Sequence, residues 1–512
     1  MKYVMIIDVG TGGLHVSLMD AEGAVTASAY QELSYDADES HQVLTFDAEH
    51  EFENTLHLFE QTLAQANIDR KHVLSIAVTS QRHGGVFLDA RHHAVYACPN
   101  MDNMAGKEAL TLSPTEAQRV YALTARWPTG LFHAVRLRWL KKQKPELFAS
   151  IAMFLMINDW FVFQLTGVMR SEWTNAAETL LFDVKHLCWS EELLSLFGLE
   201  HLECPQVVEP GTIVGTLQPE LATRLKLSQD TTVVLAAADT QSALIGTGAL
   251  KKGDVTVVNG STTPIQMVVD ELFIDPQLRI WSGPYRPGKW VLESNCGKTG
   301  MVYRQYLKHL SQFLRLFAPD LTLSLEDIGA MCDQHLDAAQ GVLPFLGPCT
   351  CDVSKFLGLL NALFIEGEDV NLFMALVPSF IENLAFAIVA NIEQLEAISG
   401  VPIQTIRMTG GGNRNALLMK ILPLLLQDRK MTRSTSTEAT SRGAAIQAFV
   451  ANRTFSDLAN AIASLVEPHE IVDSTSRHTD RARYLAKYDE WKQRHHQIAQ
   501  LEAFRTIDVP AH

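Results

Sequence analysis

Tyr3-Val4-Met5-Ile6-Ile7-Asp8-Val9-Gly10-Thr11-Gly12-Gly13 opens as an apolar run, reaches one carboxylate and breaks into glycine and threonine. Such a run predicts a buried strand that ends in a tight polar turn. His15-Val16-Ser17-Leu18-Met19 then alternates, which predicts a second strand folded back on the first. The same grammar returns at Val255-Thr256-Val257-Val258-Asn259-Gly260-Ser261-Thr262-Thr263, followed by Ile265-Gln266-Met267-Val268-Val269. Two strand–turn–strand units about 250 residues apart point to two related domains. The boundary falls near residue 250, at Gly246-Thr247-Gly248.

Outward from these units, short strands alternate with helices. Ser75–Val78, Thr232–Ala236 and Ile406–Thr409 read as strands. Ile381, Leu384, Ile388, Ile392 and Leu395 form a helical stripe over 381–395. An apolar helix follows Gly410-Gly411-Gly412 from about Asn415, and Pro423 should kink or shorten it. Tyr484, Tyr488, Trp491, His495 and Ile498 keep helical spacing, so a terminal helix packs back on the body. The class is α/β. Residues 1–249 are expected as an N-terminal domain, 250–490 as a C-terminal domain, and 491–512 as a terminal helix and tail.

The chain has 512 residues, 47% of them hydrophobic and 20% charged, the profile of a globular protein too long for one core. Its formal net charge of -16 excludes nonspecific nucleic-acid binding, which needs surplus Lys and Arg. Local phosphate binding survives that charge, because backbone N–H groups and helix N-termini supply it. The seven cysteines form no C-x-x-C pair, which fits reduced thiols in a cytoplasmic protein. The opening apolar run is too short for a signal peptide, and no uncharged apolar run of about 18 residues suggests a membrane span.

Several nucleotide and metal signatures fail. Gly297-Lys298-Thr299 resembles the end of a P-loop, but Leu292 stands where that loop needs a glycine. Gly10-Thr11-Gly12 and Gly410-Gly411-Gly412 start like dinucleotide loops, yet His15 and Asn415 occupy the third glycine position. No H-E-x-x-H or cysteine pair marks zinc.

What remains is a set of polar residues at strand ends. Asp8, before a Gly/Thr turn, suits a magnesium ion, while Gly10, Thr11 and Gly12 suit phosphate oxygens; the alternative is an ordinary hairpin whose Asp bonds its own turn. Gly260, Ser261 and Thr262 offer a second such turn, so two domains could grip one polyphosphate. Asp239 ends the segment Ala236-Ala237-Ala238, whose small residues leave room for a ligand. It reads as a general base or as a helix N-cap, and the residues alone favour the cap. Ser80-Gln81-Arg82-His83-Gly84-Gly85 is densely polar after an apolar strand, as a polyol site would be, or as a solvated loop would be; Asp102 is equally ambiguous. Gly410, Gly411, Gly412 and Asn413 join strand to helix and would let a base or ribose lie on backbone, or simply make a tight turn. Thr435-Ser436-Thr437-Glu438 reads as a capping box, and Gly443 within the next helix implies close backbone packing or a ligand.

Taken in order, these segments resemble the FGGY carbohydrate kinase family over almost the whole chain. Asp8-Val9-Gly10-Thr11 and Gly260-Ser261-Thr262 are similar to its two phosphate loops. Ala238-Asp239-Thr240 is similar to the segment with its catalytic aspartate. Gly410-Gly411-Gly412-Asn413 and Glu438-Ala439 through Gly443-Ala444-Ala445 are similar to its adenosine segments. Arg136-Leu137-Arg138-Trp139-Leu140, Asn158-Asp159-Trp160 and Leu165-Thr166-Gly167 are also family-like. The resemblance implies two actin-like (ribonuclease H-like) domains with the active site in the cleft between them. It implies ATP and Mg2+ as cofactors, with ATP on the second domain and the sugar on the first. Asp239 then becomes the base, Asp8 a magnesium residue, and Gln81, Arg82, His83 and Asp102 the substrate contacts.

Gln81-Arg82-His83-Gly84 resembles the xylulokinase loop, with Arg82 in place of Met; an Arg there is closer to the glycerol kinase and autoinducer-2 kinase patterns. Asn100 and Met104 replace the family's Trp and Arg around Asp102. His15 stands where Lys or Arg is usual, and Gly347-Pro348-Cys349 replaces a Gly-Glu-Arg stretch. D-Xylulose is the expected acceptor, with the autoinducer-2 precursor, gluconate or glycerol as alternatives and a catalytically silent sugar- or nucleotide-binding regulator as the rival class. The resemblance also implies a small-molecule substrate and a homodimer.

Overall fold

The residues of Tyr3–Val9 alternate between two cores. Met5, Ile7 and Val9 pack with Leu56, Phe59 and Leu63 of the helix Ala48–Ala66. Val4 and Ile6 pack with Leu244 and with Ala444, Ala445 and Phe449. A strand covered on both faces needs apolar side chains at every position, which explains a continuous run rather than an alternation. The computed structural model describes residues 2–38, 43–318, 341–355, 361–367, 372–426, 429–434, 438–466, 469–472 and 478–505.

Tyr3–Val9 sits inside a six-stranded sheet ordered Thr212–Thr216, Thr232–Leu235, Val73–Ser80, Tyr3–Val9, Gly13–Asp20, Val25–Glu32. Val73–Ser80 and Thr232–Leu235 run parallel to it, and the other three strands are antiparallel to their neighbours. The second sheet repeats this plan. Its order is Trp281–Arg286, Lys289–Lys298, Thr262–Val269, Asp254–Val258, Thr405–Thr409, Lys430–Arg433, Glu470–Ile471. Thr405–Thr409 and Lys430–Arg433 are the parallel strands, and Glu470–Ile471 is the antiparallel edge. The repeat predicted from two hairpins therefore extends to the whole sheet, with Trp281–Arg286 as the one added strand. The structure has the expected α/β, two-domain, actin-like architecture.

The second core lies under the helix Leu372–Ser399, which is longer at both ends than the expected 381–395. By length and composition this helix is apolar enough to cross a membrane, but glutamates interrupt its apolar run and it is almost wholly buried. Its Glu382 and Glu393 bond Lys487 and Tyr488 of the terminal helix. The terminal helix runs His478–Arg505, so it begins before residue 491, and Tyr484, Tyr488, Trp491 and Ile498 enter the second core. Asn415 caps the helix Ala416–Leu425, which ends two residues after Pro423. Among the described residues, Cys98, Cys188, Cys204, Cys296 and Cys351 are free thiols. Of the expected capping box, 435–437 lie outside the described residues, and Glu438 precedes the helix Ala439–Ala451 without a side-chain cap bond.

Although it lies in sequence between two strands of the second sheet, Lys430–Arg433 and Glu470–Ile471, Ala439–Ala451 packs on the first. It crosses the helix Asp239–Gly246 at two glycines: a Cβ on Gly443 would lie 1.7 Å from the Ser242 carbonyl oxygen, and one on Gly246 would lie 1.9 Å from that of Ala439. Backbone packing thus accounts for Gly443. The crossing sets Thr440 beside the Asp239 carbonyl and Ser441 beside His15, so the start of this helix walls a cleft at the first turn, on the carboxyl side of the first sheet, where ligands of open α/β sheets bind.

Candidate active site in the cleft

The two polar turns are built alike. Gly10 N–H donates to the Gly13 carbonyl at 3.0 Å, and Gly260 N–H donates to that of Thr262 at 3.1 Å. The first turn is braced from outside: Tyr35 and Tyr30 hydroxyls donate to the Thr11 and Gly12 carbonyls, Gln81 Nε2 to that of Gly10, and Asn100 Nδ2 to Thr11 Oγ1. In the second, Arg304 donates to Ser261 Oγ at 2.8 Å. Gly300, at the head of the helix Gly300–Arg315, abuts the Gly260 carbonyl; a Cβ there would lie 2.3 Å from it. The Gly297-Lys298-Thr299 stretch thus lies beside the second turn, although it is no P-loop.

A cavity of about 450 Å³ opens against the first turn, lined by Asp8, Gly10, Gly12, Gly13, His15, Tyr30, Glu438, Thr440 and Ser441. His15 pairs with Asp8 in strand register and faces Glu438 across the cavity at 3.3 Å. Burial, with the like charges of Asp239 and Glu438, pushes the Asp8 carboxyl up to about 8. No three described carboxylates, histidines or cysteines close on a metal by themselves.

Asp239 is the first residue of its helix, with Ala238 at the cap and no side-chain cap bond. Its Oδ1 accepts from its neighbour Thr240 N–H at 2.7 Å. The N-cap reading is therefore incorrect. The three alanines before it do not make room for a ligand either. They are fully buried because their backbone is gripped from four sides. Gln447 Oε1 accepts from Ala237 N–H, Thr174 Oγ1 from Ala238 N–H, and Thr79 and Ser242 hydroxyls donate to the Ala237 carbonyl. Burial lifts the Asp239 carboxyl to about 6, against the pull of Arg82 and the Thr240 N–H.

Beyond Asp239, Gln81, Arg82 and His83 leave the end of Val73–Ser80, and all three are buried. Gln81 ties the two loops together, accepting from Asn100 N–H as it donates to Gly10. Arg82 reaches the second domain and donates twice to Glu293 of the strand Lys289–Lys298, at 2.7 and 2.9 Å. Gln266 Nε2 donates to the same carboxylate. Glu178 accepts two bonds from Arg126 at 2.7 and 2.9 Å. Although burial favours its neutral form, Arg126 first and Arg82 after it hold its carboxyl well below the usual range. His83 has a left-handed backbone, φ 64°, with its ring edge-on to Phe132 and Trp281. Burial lowers its imidazole to about 3, so it is neutral.

Two expectations are corrected here. Asp102 is not aimed at the cleft. It is fully buried, facing Arg136 Nε at 3.1 Å and accepting from the Leu44 N–H. Arg136 in turn holds the carbonyls of His83, Pro99 and Asp102. Asp102 thus supports the loop of Gln81, Arg82 and His83 from behind. Gly410 and Gly412 are required by packing on Asn259 of the second turn, where added Cβ atoms would lie 2.5 Å from its carbonyl oxygen and 2.4 Å from its side chain. Gly411 has room for a Cβ, which would meet only the Arg414 guanidinium at 3.7 Å, and buried Asn413 leaves both side-chain amide atoms without a partner among the described residues.

Glu178, Arg126, Glu293 and Gln266 were absent from the expected site. The available signal was a single Glu directly after the apolar run Trp290-Val291-Leu292; nothing in the sequence marked Arg126, whose burial only the structure shows.

Residues 3–246 match the N-terminal domain of the FGGY family of carbohydrate kinases, and residues 258–452 match its C-terminal domain. The chain is 30% identical over 501 residues to the Bacillus subtilis protein named "Putative sugar kinase YoaC", covering 96% of each. It is 27% identical over 510 residues to the autoinducer-2 kinase of Klebsiella pneumoniae, covering 96% of this chain and 93% of that one. The ligand-bound xylulose kinase of Lactobacillus acidophilus superposes with a TM-score of 0.85 at 19% identity, over 98% of this chain and 99% of that chain. The chain therefore belongs to the FGGY family of carbohydrate kinases, as an ATP-dependent sugar kinase.

Proposed function

We propose that this kinase transfers the γ-phosphoryl group of ATP to a hydroxyl of a ketose in the cytoplasm, with Asp239 as general base. The observation that carries this reading is the place of Asp239. It opens the helix Asp239–Gly246 just after the parallel strand Thr232–Leu235, within electrostatic reach of Asp8 at the first turn and of Arg82, with a carboxyl raised to about 6. A base of that strength is ionised at neutral pH, yet strong enough to take the proton of an attacking hydroxyl. Arg82 and the Thr240 N–H hold its charge in place until then.

ATP with magnesium supplies the electrophilic phosphoryl group and the cation that balances its charge. The residues present fit that pair. Asp8 and Glu438 offer hard oxygen ligands, and their mutual repulsion with Asp239 is what a divalent cation would offset. Magnesium keeps most of its ligands as water and phosphate, so an incomplete protein shell suits it. Gly10, Thr11, Gly12, Gly260, Ser261 and Thr262 present turn N–H groups and hydroxyls to the phosphates. Gly411 and Asn413 border the adenosine side, while Gly410 and Gly412 shape it by their packing. Gln81, Arg82 and His83 form the acceptor side, braced by Asp102. Closure of the cleft excludes water, the competing acceptor.

D-Xylulose is the first acceptor in this reading. The autoinducer-2 precursor is the second, favoured by Arg82 in the acceptor loop and by the autoinducer-2 kinase relative. ADP release from ATP-magnesium over a panel of ketoses, polyols, sugar acids and the autoinducer-2 precursor tests the proposal. One acceptor should stimulate turnover, and Asp239→Ala should abolish it. Binding of sugar or ATP without turnover by any acceptor would instead support a silent regulator.

A further inference from the structure

The acceptor side of the cleft holds two guanidinium groups, and both are already taken. Arg82 spends both terminal nitrogens on Glu293, 2.7 and 2.9 Å away, with Glu178 3.5 Å beyond. Arg126 spends Nε and Nη2 on Glu178 and Nη1 on the Ser282 carbonyl at 2.7 Å. With Asp239, three carboxylates face these two cations, and His83 contributes no charge. All four paired side chains are buried, so solvent does not screen them.

We propose that this pairing restricts the acceptor to an uncharged sugar or polyol, and that Glu293 is the residue that sets the restriction by occupying the Arg82 fork. The inference rests on the sugar-kinase reading above and narrows its acceptor class. A sugar acid would bring a carboxylate into a site with a surplus negative charge and no free fork. A bidentate guanidinium is what recognises a carboxylate, and here each is satisfied from within the protein. An uncharged acceptor meets the opposite situation: its hydroxyls find carboxylate oxygens as acceptors and neutral His83 as a partner. Gluconate is thereby removed from the acceptors considered above. Arg82 and Glu293 belong to different domains, so the restriction is in force when the cleft is closed.

The test compares wild type, Glu293→Gln and the double variant Arg82→Gln/Glu293→Gln. The acceptors are D-xylulose, D-ribulose and glycerol against D-xylonate and D-gluconate. Wild type should show kcat/KM for either aldonate at least about 100-fold below its best uncharged acceptor. Glu293→Gln frees the Arg82 fork and should raise the aldonate-to-neutral ratio about tenfold or more, and the double variant should lose that gain. A purely structural Glu293 would lower both acceptors together and leave the ratio alone. Wild type that uses an aldonate as well as a neutral acceptor overturns the proposal, as does an unmoved ratio in a Glu293→Gln protein that keeps its melting temperature. If Glu293→Gln does not fold, the wild-type ratio decides. If no acceptor supports turnover, the kinase reading fails and calorimetric titration decides the charge restriction separately. Binding of uncharged polyols alone supports it; aldonate binding of equal strength, or no binding at all, overturns it.

Discussion

Gly443 and Ser242 touch where the helix Ala439–Ala451 crosses the helix that carries Asp239. A Cβ on Gly443 would stand 1.7 Å from the Ser242 carbonyl oxygen. The obstacle is backbone, so no rotamer change relieves it. Gly443→Ala should cost about 3 kcal/mol or more by pushing the helices apart. It should also lower kcat, because Gln447 of the same helix holds Ala237, two residues from Asp239. Gly411→Ala is the matched control, since its Cβ meets nothing nearer than the Arg414 guanidinium at 3.7 Å. Urea unfolding of both variants checks the contrast.

Asp239→Asn should lower kcat about 10²–10⁴-fold with little change in the KM for ATP. The base works as its anion, so the wild-type kcat/KM for the sugar should rise with pH through about 6 and level off above it. Burial raises that carboxyl, and Arg82 is the first influence that restrains it. Arg82→Gln should therefore move the acid limb to higher pH, as well as weakening sugar binding. An initial-rate pH profile of the two proteins reads the shift.

Asp8 makes the metal-free fold sensitive to alkali. Its carboxyl is raised from 3.8 to about 8 in the folded protein. The folded state thus holds a proton that the unfolded chain releases, and the stability this contributes is lost as pH rises from about 4 toward 8. Asp8→Asn has no such loss, so its melting temperature should exceed that of wild type by about 3 °C or more at pH 8, with the gap closing at pH 5. Magnesium should raise the wild-type value at pH 8 and leave the variant nearly unmoved. Scanning calorimetry with and without magnesium measures both.

The hairpins at Asp8 and Asn259 were legible because a buried central strand must be apolar throughout and a tight turn between strands must be small and polar. Both constraints are local, so they survive in sequence. The charge pairs were not legible. Arg82 and Glu293 lie far apart in the chain and meet only because two domains close on each other. Asp102 and Gly410 were visible but misjudged for a related reason. A polar residue or glycine in a loop looks alike whether it turns to a ligand or to a buried partner, and only the placement of Arg136 and Asn259 decides.

Asp102 offers the sharpest separation of these two roles. If it contacted sugar, Asp102→Ala would raise the KM and spare the fold. Its carboxylate instead faces Arg136, and both side chains are fully buried. Removing one partner of such a pair leaves an uncompensated charge, which costs about 3–5 kcal/mol. Asp102→Ala should therefore lose that much stability in urea unfolding. Asp102→Asn, which keeps the shape and the acceptor for Leu44 N–H, should lose less. Because Arg136 holds the His83 carbonyl, both should also reduce kcat/KM for the sugar, in proportion to the stability they lose. A large KM effect at unchanged stability would return Asp102 to the cleft.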